Sequence, residues 1–367
     1  MVSKQCVEFD LNKKEVIEMK EEIKKQAIIK LNKGKKSMKV WTPCKKSFLI
    51  AILILSLLGL SNGVEAQKYP TRPITLLMNS RPGAGVDMGS RLIATEAMKI
   101  LGQEIIPVNK PGGGGSLAAI EVVNSKADGY TLLGATDPQL ITLPQLESVG
   151  YDLKDFSPII ATGVANVGIV VRSDSPFKSF KDFIDFARKN PGKVSYGDSQ
   201  FGTSPHLAME HVAMEEKLNI AFIHFMGAPP NMTALLGGHI SACGVGTGSF
   251  FSHYKAGKVR VLAALGEKRM EAVPDAPTLV ELGYPYGGAF KAVYLISAPK
   301  GTPSDVVKTL DGAFRKAMEM PEYITYVKSN HLYLENPLSG QSLKEDLEAR
   351  YLKIGEVIRK ANLTGKK

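Results

Sequence analysis

Two glycine loops constrain this 367-residue chain most, each set directly after a short apolar run and directly before a helical pattern. The run Ile74–Met78 ends in Asn79-Ser80-Arg81-Pro82-Gly83-Ala84-Gly85. Met88, Leu92, Ile93, Ala97 and Ile100 then recur at the spacing of one buried helical face, which Gly102 stops. Glu104–Val108 reads as the next strand, and Pro111 with four glycines leads into a helix over Leu117–Val123. Asp128-Gly129 turns the chain into a further strand, Tyr130–Ala135. Strand, glycine loop and helix repeated in adjacent units is the grammar of a parallel doubly wound α/β sheet.

The same grammar returns farther on. Strands are expected at Val167–Val171, Lys193–Tyr196, Ala221–Phe225, Ile240–Val245, Val259–Leu265 and Val293–Ser297. Helices are expected at Phe180–Arg188, Pro205–Glu216, Met232–Leu236, Ser304–Met318 and Leu343–Lys360. A chain of this length exceeds one small core, so the two blocks read as two α/β domains facing one another. Apolar content of 44% and charged content of 22% are globular values and exclude a wholly disordered chain.

Charge separates a leader from the rest. Residues 1–66 hold 13 lysines against 7 acids, a net of +6, which leaves only +4 for the remaining residues. Overall basicity is therefore no argument for nucleic-acid binding, and no recognition-helix or RNP-like pattern supplies one. Lys45-Lys46, the 13-residue run Phe48–Leu60 and the small-x-small pair Val64 and Ala66 describe a signal peptide cleaved before Gln67. The run is shorter than the roughly 20 residues that a membrane span needs. Met38 opens a leader of ordinary length, so residues 1–37 read as a basic upstream extension from a misassigned start. No cysteine stands at the cleavage point for a lipid anchor. The mature chain keeps Cys243 and loses Trp41, Cys6 and Cys44, so it has no internal disulfide and no tryptophan.

Glycine loops at the carboxyl ends of parallel strands expose backbone N–H groups at helix starts, and with the helix dipole these attract anions. Other readings compete. Gly113-x-Gly115-x-x-Ala118, with Asp137 about 20 residues on, matches a dinucleotide fingerprint and makes a Rossmann-type oxidoreductase the enzyme alternative. Gly197-Asp198-Ser199 looks like the nucleophile block of an esterase, but no Asp-x-x-His and no Gly-x-Ser-x-Gly accompanies it. His206 and His211 flank Glu210 five residues apart, which is not a zinc spacing. The residues point to a protein that holds something without transforming it, with no catalytic group, metal or cofactor.

At these loops the mature chain resembles the Bug, or TctC-like, extracytoplasmic solute-binding receptors of tripartite tricarboxylate transporters. The resemblance is carried by Pro82-Gly83-Ala84-Gly85-Val86-Asp87, Asn109-Lys110-Pro111-Gly112, Asp128-Gly129-Tyr130-Thr131 and Gly202-Thr203-Ser204-Pro205-His206. Leu235-Leu236-Gly237-Gly238, Pro274-Asp275-Ala276-Pro277-Thr278 and Ala298-Pro299-Lys300-Gly301-Thr302-Pro303 follow in order. It implies a two-lobed, type II periplasmic-binding fold in which each lobe is a doubly wound sheet flanked by helices. The hinge crossings fall near Val170 and Phe290, giving lobe one as 69–169 plus 291–367 and lobe two as 170–290. It also implies a small carboxylate ligand in the cleft, membrane permease subunits as partners, and a monomeric periplasmic receptor. A ligand-sensing receptor of a signalling system is the second alternative.

The ligand-contact set is Arg81, Gly83, Ala84, Gly85, Asp87, Thr136, Asp137, Ser199, Gly202, Thr203, His206, Gly227 and Ala228. In it, amides of Gly83–Gly85 and Gly202-Thr203 donate to the carboxylate, Ser199 and Thr203 add hydroxyls, and Asp87 holds the loop as a helix cap. The chain departs from the family pattern at Ser80-Arg81, where an aromatic residue and prolines are usual, and at Ala84 and Ala118, where glycine is common. Phe225-Met226-Gly227 replaces Tyr-Lys-Gly, and Ser241 and Val245 replace acids. Arg81 is accordingly expected to pair with a ligand carboxylate, favouring a polar or multiply charged acid.

Overall fold

The computed structural model describes residues 69–334 and 338–365, so the leader and extension assigned to residues 1–66 lie outside the described residues. In chain order the first half runs β1 (Ile74–Met78), α1 (Gly85–Leu101), β2 (Ile105–Asn109), α2 (Ser116–Val123), β3 (Thr131–Thr136), the single-turn helices α3 (Pro138–Ile141) and α4 (Leu143–Leu146), and β4 (Phe156–Ala165). There follow β5 (Val167–Arg172), α5 (Phe180–Lys189), β6 (Val194–Asp198), α6 (Ser204–Glu215), β7 (Ile220–His224), α7 (Ala228–Leu236), β8 (Ala242–Gly246), α8 (Thr247–Lys255) and β9 (Val259–Leu265). The chain ends with β10 (Ala292–Pro299), α9 (Ser304–Met318), α10 (Pro321–Ser329), β11 (Leu332–Tyr333) and α11 (Gly340–Lys360).

Local chemistry explains most of these limits. In β1, Ile74, Leu76, Leu77 and Met78 are all buried, as a strand covered on both faces requires. Helix α1 stops at Gly102, whose left-handed backbone returns its N–H to the Met98 carbonyl. Helix α5 begins with a reciprocal capping box between Ser179 and Asp182 and carries Arg188 and Lys189 in its last turn.

The strands form two sheets. The first has six strands in the order β11-β4-β10-β3-β1-β2, and the second has five in the order β7-β6-β8-β5-β9. Helices α1, α9 and α10 pack on the first sheet around Ile93, Leu310, Phe314 and Tyr323. Helices α7 and α8 pack on the second around Leu235 and Phe250. The sheets are mixed, where purely parallel ones were expected: β10 runs antiparallel to β3 and β4, and β5 antiparallel to β8 and β9. The reason is that the chain changes sheet twice, and each strand that arrives runs against its new neighbours. It leaves the first sheet at Asn166, between β4 and β5, and returns at Lys291, just before β10. The sequence reading placed the first passage near Val170, which lies inside β5.

Strand β4 carried no recognisable sequence pattern because Pro158 and Gly163 interrupt it and seven of its ten residues in a row are buried on both faces. Its pairing with β10 absorbs these breaks through two register shifts, between Tyr294 and Leu295 and between Ile296 and Ser297. The dinucleotide fingerprint also loses its context here. Its loop follows β2, which is an edge strand of the first sheet, whereas a nucleotide crevice needs a switch point within the sheet.

A buried ionic cluster secures the second passage. Arg350 of α11 pairs with Asp137 and donates from Nε to Asp346 Oδ2 at 2.9 Å and from Nη1 to the Lys291 carbonyl at 3.2 Å. Asp137 Oδ1 accepts the Val293 amide at 2.7 Å, and Lys291 Nζ lies 2.9 Å from Asp346 Oδ1. Asp137, Lys291 and Arg350 are all buried.

Candidate functional site

The loop after β1 is shaped by its own side chains. Gly83 has φ +81°, a conformation that costs other residues dearly. Its N–H donates to Asp87 Oδ2 at 2.8 Å, and the other oxygen of Asp87 receives Arg91 Nε at 2.7 Å and Asn109 Nδ2 at 2.9 Å. Burial pushes the Asp87 carboxyl up, but these donors outweigh it and hold it below its ordinary range. The Ala84 N–H turns back to the Arg81 carbonyl at 3.2 Å, and Met88 is the first residue whose N–H bonds within the helix. Among the described residues, the amides of Gly85, Val86 and Asp87 in the first turn of α1 are thus left without an acceptor, as helix geometry requires.

The loop after β6 repeats this construction. Gly202 has φ +76°, and Thr203 caps α6 with φ −71° and ψ 159°, the same values that Ala84 takes at the start of α1. The Gly202 N–H donates to His206 Nδ1 at 3.0 Å, and Thr203 Oγ1 donates to the Gln200 carbonyl at 2.8 Å. Pro205 carries no N–H, so the first-turn amides of α6 that lack an acceptor among the described residues are those of Ser204 and His206. The β6 loop lies against the segments that follow β2 and β3: a Cβ at Gly202 would meet Leu146 of α4, and one at Gly114 would stand 3.7 Å from Gln200 Nε2.

Several expected contacts are engaged elsewhere. The Gly227 N–H donates to the Ser199 carbonyl at 2.9 Å, which joins the β6 and β7 loops. Asp137 is spent on Arg350 and the Val293 amide, and Thr136 Oγ1 donates to Gln139 Oε1. Gly83 and Gly202 hold loop shape with the very amides assigned to a ligand. Ala228 opens α7 and is half-buried. Ser199 is half-buried beside the loop. Arg81 is exposed and makes no ion pair among the described residues. The open first-turn amides of Val86 and Ser204 carry no side-chain signal in the sequence, because a main-chain N–H is the same for every residue type but proline. The rule that N1 to N3 of any helix lack acceptors would have found them.

Asp198, His206 and His224 bring ligand atoms within 4.8 Å of one another, a spacing that suits a metal ion. Their hydrogen bonding does not. The Gly202 N–H occupies the Nδ1 lone pair of His206, which puts the ring proton on Nε2, 3.4 Å from Glu210 Oε1. Neither nitrogen of His206 offers a lone pair while the loop keeps its shape. His224 Nδ1 lies 2.9 Å from Asp198 Oδ2, and that bond raises the pKa of its imidazole.

Two α/β lobes linked by a double crossing define a two-lobed periplasmic binding protein. A TctC solute-binding protein from Polaromonas has this fold, with a TM-score of 0.71 and 27% identity over 80% of this chain and 99% of that one. So does R. palustris Rpa4515 with adipate, at a TM-score of 0.66 and 27% identity over 80% and 98% of the two chains. Residues 90–363 match the family described as the tripartite tricarboxylate transporter family receptor, TctC. A Cupriavidus necator protein, the UPF0065 protein in the gbd 5′ region, is 38% identical over 274 residues, 74% of this chain and 83% of that one. The chain belongs to the TctC family of tripartite tricarboxylate transporter receptors. The family and the fold are those of solute-binding receptors.

Proposed function

We propose that this receptor closes its lobes on a small organic carboxylate and hands it unaltered to the permease subunits of a tripartite transporter. It does so as a monomer in the periplasm, after its leader is removed near Ala66. The observation that carries this reading is the matched pair of helix starts, with Ala84 and Thr203 in one conformation and open first-turn amides at each. Both present positive dipole ends, and an anion between them needs no buried cation. The relative with adipate, at 27% identity, supports a carboxylate as the guest.

In this reading the acceptor-free amides of Gly85, Val86, Asp87, Ser204 and His206 grip the carboxylate, Ser199 and Thr203 add hydroxyls, and Arg81 pairs with a further negative charge. Lobe one comprises the strands of the first sheet and lobe two those of the second, with bending at Asn166 and Lys291. The test is thermal unfolding of the purified protein against mono-, di- and tricarboxylates. A ligand at a hundred times its dissociation constant adds about 2.7 kcal/mol of stability. Indifference to every acid offered would overturn the reading. Arg81→Ala should weaken the best-bound acid at least tenfold, and equal affinity would remove Arg81 from the site.

A further inference from the structure

Gly85 is the first residue of α1, and its φ lies outside the left-handed region, so no turn demands a glycine there. Space does. A Cβ at Gly85 would stand 2.8 Å from the hydroxyl of Tyr294, on β10. Because Cα–Cβ bonds tilt toward the start of a helix, that point marks the open end of α1. The phenol therefore lies at the first residue of α1, in the turn whose amides lack acceptors among the described residues. Three tyrosines gather behind this turn, and two are committed. Tyr326 donates to the Gly85 carbonyl at 2.8 Å, and Tyr323 donates to the Thr162 carbonyl at 2.7 Å. Tyr294 is half-buried, and its hydroxyl has no hydrogen-bond partner among the described residues. The buried Ser80 Oγ, five residues before Gly85, is likewise without a partner.

We infer that the Tyr294 hydroxyl is a specificity-determining ligand contact, donating to a carboxylate held at the start of α1. The inference rests on the carboxylate reading above and adds a side chain to a half-site otherwise built from main chain. Burial raises the pKa of the phenol, so it keeps its proton and remains a donor at neutral pH. Three N–H groups and one O–H converging on one place suit a head group that only accepts, and they disfavour an amide in the same position. Gly85 is then required because any larger residue would push the hydroxyl aside.

The experiment is a double-mutant cycle read by calorimetric titration of the purified protein with succinate, adipate and citrate. Tyr294→Phe keeps the ring and should weaken whichever of these the wild type binds by about tenfold or more, the loss of one hydrogen bond to a charged group. Gly85→Ala should weaken binding in the wild type. In the Tyr294→Phe background it should cost less than about twofold, because the added methyl then meets only ring carbons at 3.5 Å. Unfolding midpoints without ligand show whether each variant is folded. Affinities of Tyr294→Phe within twofold of wild type, or additive losses in the double variant, overturn the inference and leave the carboxylate reading standing. A wild type that binds none of the three acids overturns both.

Discussion

Replacing Arg350 by Met isolates what holds the second passage between sheets. The guanidinium contacts Asp137, the Lys291 carbonyl at 3.2 Å and Asp346 Oδ2 at 2.9 Å. Asp346 keeps Lys291 at 2.9 Å and is partly exposed, so it tolerates the loss. Asp137 does not. It would retain only the Val293 amide for a carboxylate that is 1% exposed. Breaking a buried pair from one side costs about 3–5 kcal/mol, chiefly through the charge left behind. Arg350→Met should therefore lower unfolding free energy by about that much in urea titrations with an unchanged slope. Asp137→Asn combined with Arg350→Met removes both charges and should recover a large part of the loss. A loss below about 1 kcal/mol for Arg350→Met, or a double variant as unstable as the sum of the singles, would refute the account.

Gly83→Ala adds a methyl that meets nothing within 4 Å but places a Cβ at φ +81°, so it should cost about 1–2 kcal/mol in thermal unfolding through backbone conformation alone. Asp87 has its pKa lowered by the Gly83, Asn109 and Arg91 donors against the upward push of burial. Its contribution is whole above the unfolded carboxylate value near about 3.9 and is lost as pH falls through the lower folded value. Stability differences between wild type and Asp87→Asn should accordingly shrink below about pH 4 in pH-resolved denaturation. Burial pushes the Cys243 thiol well above its ordinary range, so it should resist a disulfide reagent in the native protein and react at once in denaturant; fast native labelling would contradict this.

Much of the fold was legible because it is local. Ser304–Met318 and Val259–Leu265 have the limits read from periodicity, and both glycine loops open helices as expected. Strand β4 and helices α8 and α10 were not legible. Pro158 and Gly163 disguise β4, while α8 opens with Thr247-Gly248-Ser249 and α10 with Pro321, short stretches that neighbours stabilise. The expected contacts partly changed role for a related reason. His206, Asp87 and Gly227 belong to the loops, but their polar atoms satisfy the loops' own backbone.

The sequence alone determined where the backbone turns and where helices begin, since φ preference and capping depend on a few adjacent residues. It therefore located the two amide-rich helix starts, at Gly85 and Ser204. Which polar atoms stay open was decided only by tertiary structure. Asp137 is closed by Arg350, 213 residues along the chain, and Gly85 is reserved for a phenol that arrives on β10. A buried polar group takes whichever partner folding brings within 3 Å, and that choice is not written in its neighbours in sequence.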